Sequence, residues 1–160
     1  MPAHLGIVDS CDQAARLAKI SCFQLAAMRR RSGTVRLGEV IRCLIVDDNA
    51  AFLDAATSVL EQDGVSVVGT ASTIEHALRQ AGQLAPDAIL VDVMLGDESG
   101  FDLARRLAES GSAATVVLIS THAEVDFADL IEETAATGFV PKSQLSAAEV
   151  RRLVSARRGR

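Results

Sequence analysis

Tryptophan and tyrosine are absent from this 160-residue chain, and phenylalanine occurs only five times. Its core must therefore be aliphatic. Cys11, Cys22 and Cys43 are odd in number and follow no metal-ligand spacing, which argues against a disulfide framework or a zinc site. The last of them lies in an apolar run, where a free thiol packs as a small hydrophobe. No apolar stretch approaches the roughly 18 residues needed to span a bilayer. The first thirty or so residues lack the ordered charged, apolar and small-residue regions of a secretory signal. A cytoplasmic protein without membrane contact is expected.

What remains is ordinary for a soluble globule: 49% hydrophobic and 23% charged residues, in a length that suits one domain with a real core. The formal net charge of −5 is unevenly spread. Residues 41–150 hold 18 acidic and 5 basic side chains, a local balance of −13. Both ends are positive, with five arginines in residues 151–160 and six basic against three acidic groups in residues 1–40. Short arginine runs of this kind are usually solvated helix ends, so direct nucleic-acid binding is not expected.

From residue 42 onward a strand-like apolar run is followed by an amphipathic helical stretch, five times over. That alternation predicts an α/β fold: a doubly wound, five-stranded parallel sheet of flavodoxin-like order 2-1-3-4-5 with helices on both faces. Strands are expected near 42–47, 65–70, 87–92, 115–120 and 138–140, and helices near 50–62, 72–83, 100–109, 124–136 and 146–157. The first, third and fourth runs are uniformly apolar and so central; the second mixes in polar residues and reads as an edge. Asp63-Gly64, Gly111 and Gly138 are expected to end the first, third and fourth helices, and Ala85-Pro86-Asp87 to lead into the third strand. Residues 1–40 fit the repeat poorly and form an N-terminal extension, either one helix over about 10–31 or a weakly ordered segment. Residues 41–160 form the domain.

Polar residues stand at or just beyond the carboxyl ends of four of these runs: Asp47 and Asp48, then Asp92, Ser120 and Lys142. Right-handed crossovers bring those ends to one rim, where open sheets bind ligands. Three carboxylates there repel by about 4 kcal/mol per pair at 4 Å and an effective dielectric near 20. A hard divalent cation answers that repulsion, and Mg²⁺ suits because it takes few carboxylates and completes its shell with water or phosphoryl oxygens. With one ammonium from Lys142, the positive charge then matches the negative. Asp92, alone on a central strand, is the candidate nucleophile toward phosphorus; Lys142 and Ser120 are placed to bind phosphoryl oxygens. Each group read singly is also a plausible helix cap, turn residue or solvated side chain. Four strand ends carrying them in this order are much harder to explain that way.

The segments Leu44-Ile45-Val46-Asp47-Asp48-Asn49, Leu90-Val91-Asp92-Val93-Met94-Leu95 with Gly100-Phe101, Ile119-Ser120-Thr121 and Gly138-Phe139-Val140-Pro141-Lys142 resemble the receiver domain of bacterial two-component response regulators. The resemblance covers residues 42 to about 156. It implies phosphoryl transfer from a histidine kinase, or a phosphotransfer protein, to Asp92. Mg²⁺ would be held by Asp48, Asp92 and the backbone carbonyl of Met94, with Asp47 acting mostly through metal-bound water. It further implies that Ser120 and Phe139 move together on phosphorylation and remodel the face of the fourth helix, fifth strand and fifth helix, which a downstream protein reads. The protein would catalyse only its own phosphorylation and dephosphorylation.

The chain departs from the family pattern at Gly96, where proline is common, and at Thr121, where the residue is usually smaller. Met94 and His122 occupy positions that influence phosphoryl lifetime. The chain is expected to be a stand-alone receiver. Acidic Asp126, Asp129, Glu132 and Glu133 beside Arg151 and Arg152 would allow a phosphorylation-dependent homodimer. Two other readings compete: a degenerate receiver that binds partners without phosphorylation, and a haloacid-dehalogenase-type phosphohydrolase. The complete pocket disfavours the first. Chain order disfavours the second, which places its nucleophile first and its acidic pair last.

Overall fold

The structure is a computed structural model. The chain divides into two units, residues 1–33 and 34–160; the structure describes residues 38–160, all of them in the second unit. The expected N-terminal helix, with Cys11 and Cys22, lies outside the described residues.

Five parallel strands, β1 (Ile41–Val46), β2 (Val65–Ala71), β3 (Ala88–Asp92), β4 (Thr115–Ser120) and β5 (Gly138–Pro141), form one sheet in the order β2-β1-β3-β4-β5. The expected topology is realised, with the polar-mixed β2 at an edge. Because side chains alternate across a strand, each central strand feeds two cores. Leu44, Val46, Ile89, Val91, Val116 and Leu118 pack on one face against α2 (Ile74–Leu84) and α3 (Gly100–Glu109). Cys43, Ile45, Leu90, Val117 and Ile119 pack on the other against α1 (Ala50–Gln62) and α5 (Ala147–Arg158). Uniformly apolar runs are what such two-sided burial demands.

The starts of α1, α2 and α5 are set by side-chain caps that satisfy otherwise orphaned N–H groups. Phe52 N–H donates to Asn49 Oδ1, His76 N–H to Thr73 Oγ1, and Glu149 N–H to Ser146 Oγ. Gly64 (φ +80°) and Gly111 (φ +73°) take the left-handed conformation just past α1 and α3, as the turn signals predict.

Two expectations are corrected. The stretch read as one helix over 124–136 is a 3-10 turn, Glu124–Phe127, followed by a five-residue helix α4 (Ala128–Glu132). Only Phe127, Ile131 and the small Ala136 of this acidic stretch pack against the core, too few to hold three turns in one register. Gly138 is not a helix terminator but the first residue of β5, and a Cβ there would come within 2.8 Å of Leu153 Cδ2. Its lack of a side chain leaves room for Leu153 of α5 against the sheet.

Between β3 and α3 the chain makes a small antiparallel hairpin, Met94–Leu95 with Glu98–Ser99, that periodicity did not foretell. Glu98 Oε2 accepts from Ile74 N–H at 2.9 Å, tying the hairpin to the start of α2. Gly100 N–H donates to the Val93 carbonyl at 2.9 Å, and a Cβ on Gly100 would collide with the Asp92 carbonyl oxygen.

Candidate functional site

The parallel register sets the rim. Val46 pairs with Val91, Asp92 with Ile119, and Ser120 with Pro141, so each polar residue emerges at the same end of the sheet. Backbone bonds fix the exits: Asp47 N–H to the Ala71 carbonyl (2.9 Å) and Val93 N–H to the Ile119 carbonyl (3.0 Å).

Asp47, Asp48 and Asp92 each offer a carboxylate oxygen, all within 4.8 Å of one another. Asp47 is fully buried, Asp92 nearly so, and Asp48 exposed. Lys142, on a short 3-10 turn after β5, places Nζ 2.5 Å from Asp47 Oδ2 and 2.9 Å from Asp92 Oδ2. The contact to Asp47 Oδ2 is a charge contact rather than a well-directed hydrogen bond. The remaining oxygens accept from their own loops, Asp47 Oδ1 from Asn49 N–H (2.8 Å) and Asp92 Oδ1 from Met94 N–H (3.2 Å).

Burial pushes the Asp92 carboxyl above its ordinary value; the hydrogen bonds from Lys142 and from Met94 N–H only partly offset that, and the Asp47 charge adds to it. Burial pulls the Lys142 ammonium down, but its close contacts with the Asp47 and Asp92 carboxylates outweigh that and hold the amine above its ordinary range. Burial raises the Cys43 thiol to about 12, so it is inert packing in β1, as expected from its run.

Four of the five expected pocket residues thus come together. Ser120 sits at the adjacent strand end, fully buried, with Oγ accepting from His122 N–H at 3.0 Å. It organises its own loop in this structure. Phe139 is buried in β5 and its ring lies 6.4 Å from that of Phe127, which also meets Phe101 (5.8 Å) and the exposed His122 (6.1 Å). Phe127 therefore links the two expected switch residues, through His122 to Ser120 and directly to Phe139.

The donor set fits a hard divalent cation: three carboxylates less one ammonium leave a charge of −2, and every available ligand atom is oxygen. Asp48 is the exposed acid of the three. Asp92 keeps a small exposed fraction, whereas Asp47 keeps none and suits the indirect role that the resemblance implies for it.

Two residues at the site carried no signal strong enough to single them out. Asn49, beside the acidic pair, both caps α1 and orients Asp47. Phe52, one turn into α1, places its ring centroid 4.4 Å from Lys142 Nζ; a phenylalanine on a helix reads as core.

Comparison with known proteins points to the same family as the sequence resemblance. The family model described as the response regulator receiver domain matches residues 43–154. Response regulator GacA of Pseudomonas viridiflava is 33% identical over 104 residues, covering 64% of this chain and 49% of that protein. A protein-glutamate methylesterase/protein-glutamine glutaminase of Halalkalibacterium halodurans is 35% identical over 104 residues, covering 64% of this chain and 30% of that protein. The chain therefore matches half or less of the length of these relatives. Among solved structures, the signal receiver domain of the putative response regulator NarL from Mycobacterium tuberculosis superposes with a TM-score of 0.66 at 26% identity, covering 76% of this chain and 99% of that one. A LuxR-family two-component response regulator from an Aurantimonas species gives 0.67 at 26% identity, covering 76% and 88%.

Proposed function

The chain belongs to the response regulator receiver domain family of two-component systems, and from that premise we propose that Asp92 is the carboxylate on which it accepts a phosphoryl group. The donor is the phosphohistidine of a histidine kinase or of a phosphotransfer protein. An Asp92 oxygen attacks phosphorus, the phosphorus–nitrogen bond breaks, its electron pair returns to the donor imidazole, and an acyl phosphate remains. The single observation that carries this reading is the shared ammonium, Lys142 Nζ between Asp47 Oδ2 and Asp92 Oδ2. A flexible amine can leave Asp92 Oδ2 for an incoming phosphoryl oxygen without losing Asp47.

Asp48, Asp92 and the Met94 carbonyl would hold Mg²⁺, with Asp47 acting indirectly, and the bound ion would supply charge neutralisation for the approach of one anion to another. Ser120 gives its hydroxyl to the phosphoryl group, releases His122 N–H, and with Phe139 passes the change through Phe127 to the face formed by 124–132, β5 and α5. A downstream protein, or a second copy of the chain, reads that face. Residues 41–160 are the receiver and residues 1–40 an extension to it. Catalysis is confined to the protein's own carboxylate, and the cytoplasm, where kinases present phosphohistidine, is its place of action.

Incubation with acetyl phosphate and Mg²⁺ tests the reading. A hydroxylamine-labile phosphoryl group is expected on the wild type, lost with EDTA and in Asp92→Asn. Undiminished labelling of Asp92→Asn would sink it, and absence of labelling from acetyl phosphate and from every histidine kinase of the host would favour phosphorylation-independent binding.

A further inference from the structure

Lys142 has three N–H groups, and only two of its neighbours are carboxylates. What bounds the ammonium elsewhere is the ring of Phe52, 4.4 Å from Nζ to centroid. The lysine side chain is only 13% exposed, so the ring stands where water would otherwise solvate the charge. A cation over an aromatic face is attracted by the ring quadrupole, more strongly when desolvated.

Phe52 is itself held firmly. Its N–H donates to Asn49 Oδ1, and its half-buried side chain packs against the core on the α1–α5 side of the sheet. The six residues from Asp47 to Phe52 thus supply both a carboxylate and an aromatic wall for one amine that arrives from β5.

We propose that Phe52 is a positioning residue for Lys142: the ring face seats the ammonium against Asp47 and keeps it aimed at Asp92. The inference rests on the reading of Asp92 as phosphoacceptor. A ring suits the task better than another acid. It attracts the charge without accepting a proton in a hydrogen bond of carboxylate strength, so the amine stays free to exchange Asp92 Oδ2 for a phosphoryl oxygen while pivoting on Asp47 and the ring. An aliphatic residue of similar volume would fill the space and exclude water, yet supply no such attraction.

Phe52→Leu and Phe52→Tyr separate these roles. In the unphosphorylated, metal-free protein, the Lys142 ε-methylene protons, assigned through Lys142→Arg, should lie upfield in the wild type and in Phe52→Tyr because of the ring current. They should return to ordinary lysine positions in Phe52→Leu. With acetyl phosphate and Mg²⁺, Phe52→Leu should be phosphorylated about 5-fold more slowly at saturating donor, the size a partly desolvated cation–π contact carries, with the donor concentration for half-saturation unchanged. Phe52→Tyr should recover most of the rate.

Ordinary ε-methylene shifts in the wild type, or equal rates for wild type and Phe52→Leu, would overturn the proposal. So would equal losses in the Leu and Tyr variants. If Phe52→Leu does not fold, the wild-type shifts and Phe52→Met decide in its place. Persistent labelling of Asp92→Asn would instead strike the phosphoacceptor reading, and the proton shifts would still report on the seat.

Discussion

Lys142 Nζ lies 2.9 Å from Asp92 Oδ2, although fifty positions separate the two in the chain. The same nitrogen also touches Asp47, so one side chain from β5 carries the compensation for two buried carboxylates from β1 and β3.

Lys142→Met should therefore cost stability as well as phosphorylation. Removing one partner of a buried ion pair strands the other charge, and a loss of about 2–4 kcal/mol is expected at neutral pH without Mg²⁺, measured by urea denaturation. Because the folded-state value of the amine lies above its ordinary 10.5, the contribution of Lys142 is fully present below that pH and fades only as pH rises through the folded value. The difference between wild type and variant should be flat from about pH 7 to 9; a marked decline in that range would contradict the arrangement.

Asp92→Asn should act in the opposite sense. A carboxyl whose folded value is raised takes up a proton more readily in the folded state, so its charged form destabilises the fold at higher pH. The neutral amide should raise the melting temperature of the metal-free protein by about 3 °C at pH 7, the equivalent of less than 1 kcal/mol for a domain of this size. The gain should shrink as pH falls through the raised value toward the ordinary 3.8. Scanning calorimetry at two pH values reads it, and a gain that grows on acidification would refute the sign.

Mg²⁺ should stabilise the wild type by mass action, about 1.4 kcal/mol at ten times its dissociation constant. Asp48 is exposed and open to the ion, so Asp48→Asn should abolish at least half of the melting-temperature gain while leaving the metal-free protein within about 0.5 kcal/mol of wild type. Equal Mg²⁺ gains in the two proteins would exclude Asp48 as a ligand.

Gly100→Ala and Gly138→Ala should differ in cost for a geometric reason. The new Cβ at Gly100 meets backbone, the Asp92 carbonyl; at Gly138 it meets the end of the Leu153 side chain. Overpacking against an immovable group costs about 3 kcal/mol, and against a movable one about 1 kcal/mol. Only the first should also slow phosphorylation, since it displaces Asp92. Chemical denaturation paired with acetyl phosphate labelling checks both halves.

Most of the fold was legible because burial on both faces leaves an unmistakable mark. Val116-Val117-Leu118-Ile119 has no polar position to spare, and β4 is buried throughout. Residues 124–136 misled because Phe127, Leu130 and Ile131 stand at helical spacing while Leu130 is 46% exposed and the neighbouring Val125 78%; periodicity records where apolar residues stand, not whether a core exists to receive them. At the site, Asp47, Asp92 and Lys142 were legible because each follows an apolar run. Ser120 was legible too, but its present bond to His122 N–H depends on the loop conformation, which spacing does not encode. Phe52 and Asn49 stayed hidden, since a half-buried ring looks the same whether or not a lysine from ninety residues away comes to rest on it, and a cap the same whether or not it also orients a neighbouring acid.

Before Ala136 and the bond from Thr137 N–H to the Val116 carbonyl, the stretch from Thr121 onward meets the core through the half-buried side chains of Phe127 and Ile131, each worth at most about 1.5–3 kcal/mol when fully covered. It joins the hydroxyl of Ser120 to the ring of Phe139. A small local push at the rim can thus be spent on the most loosely moored part of the molecule, while the five strands beneath keep their places.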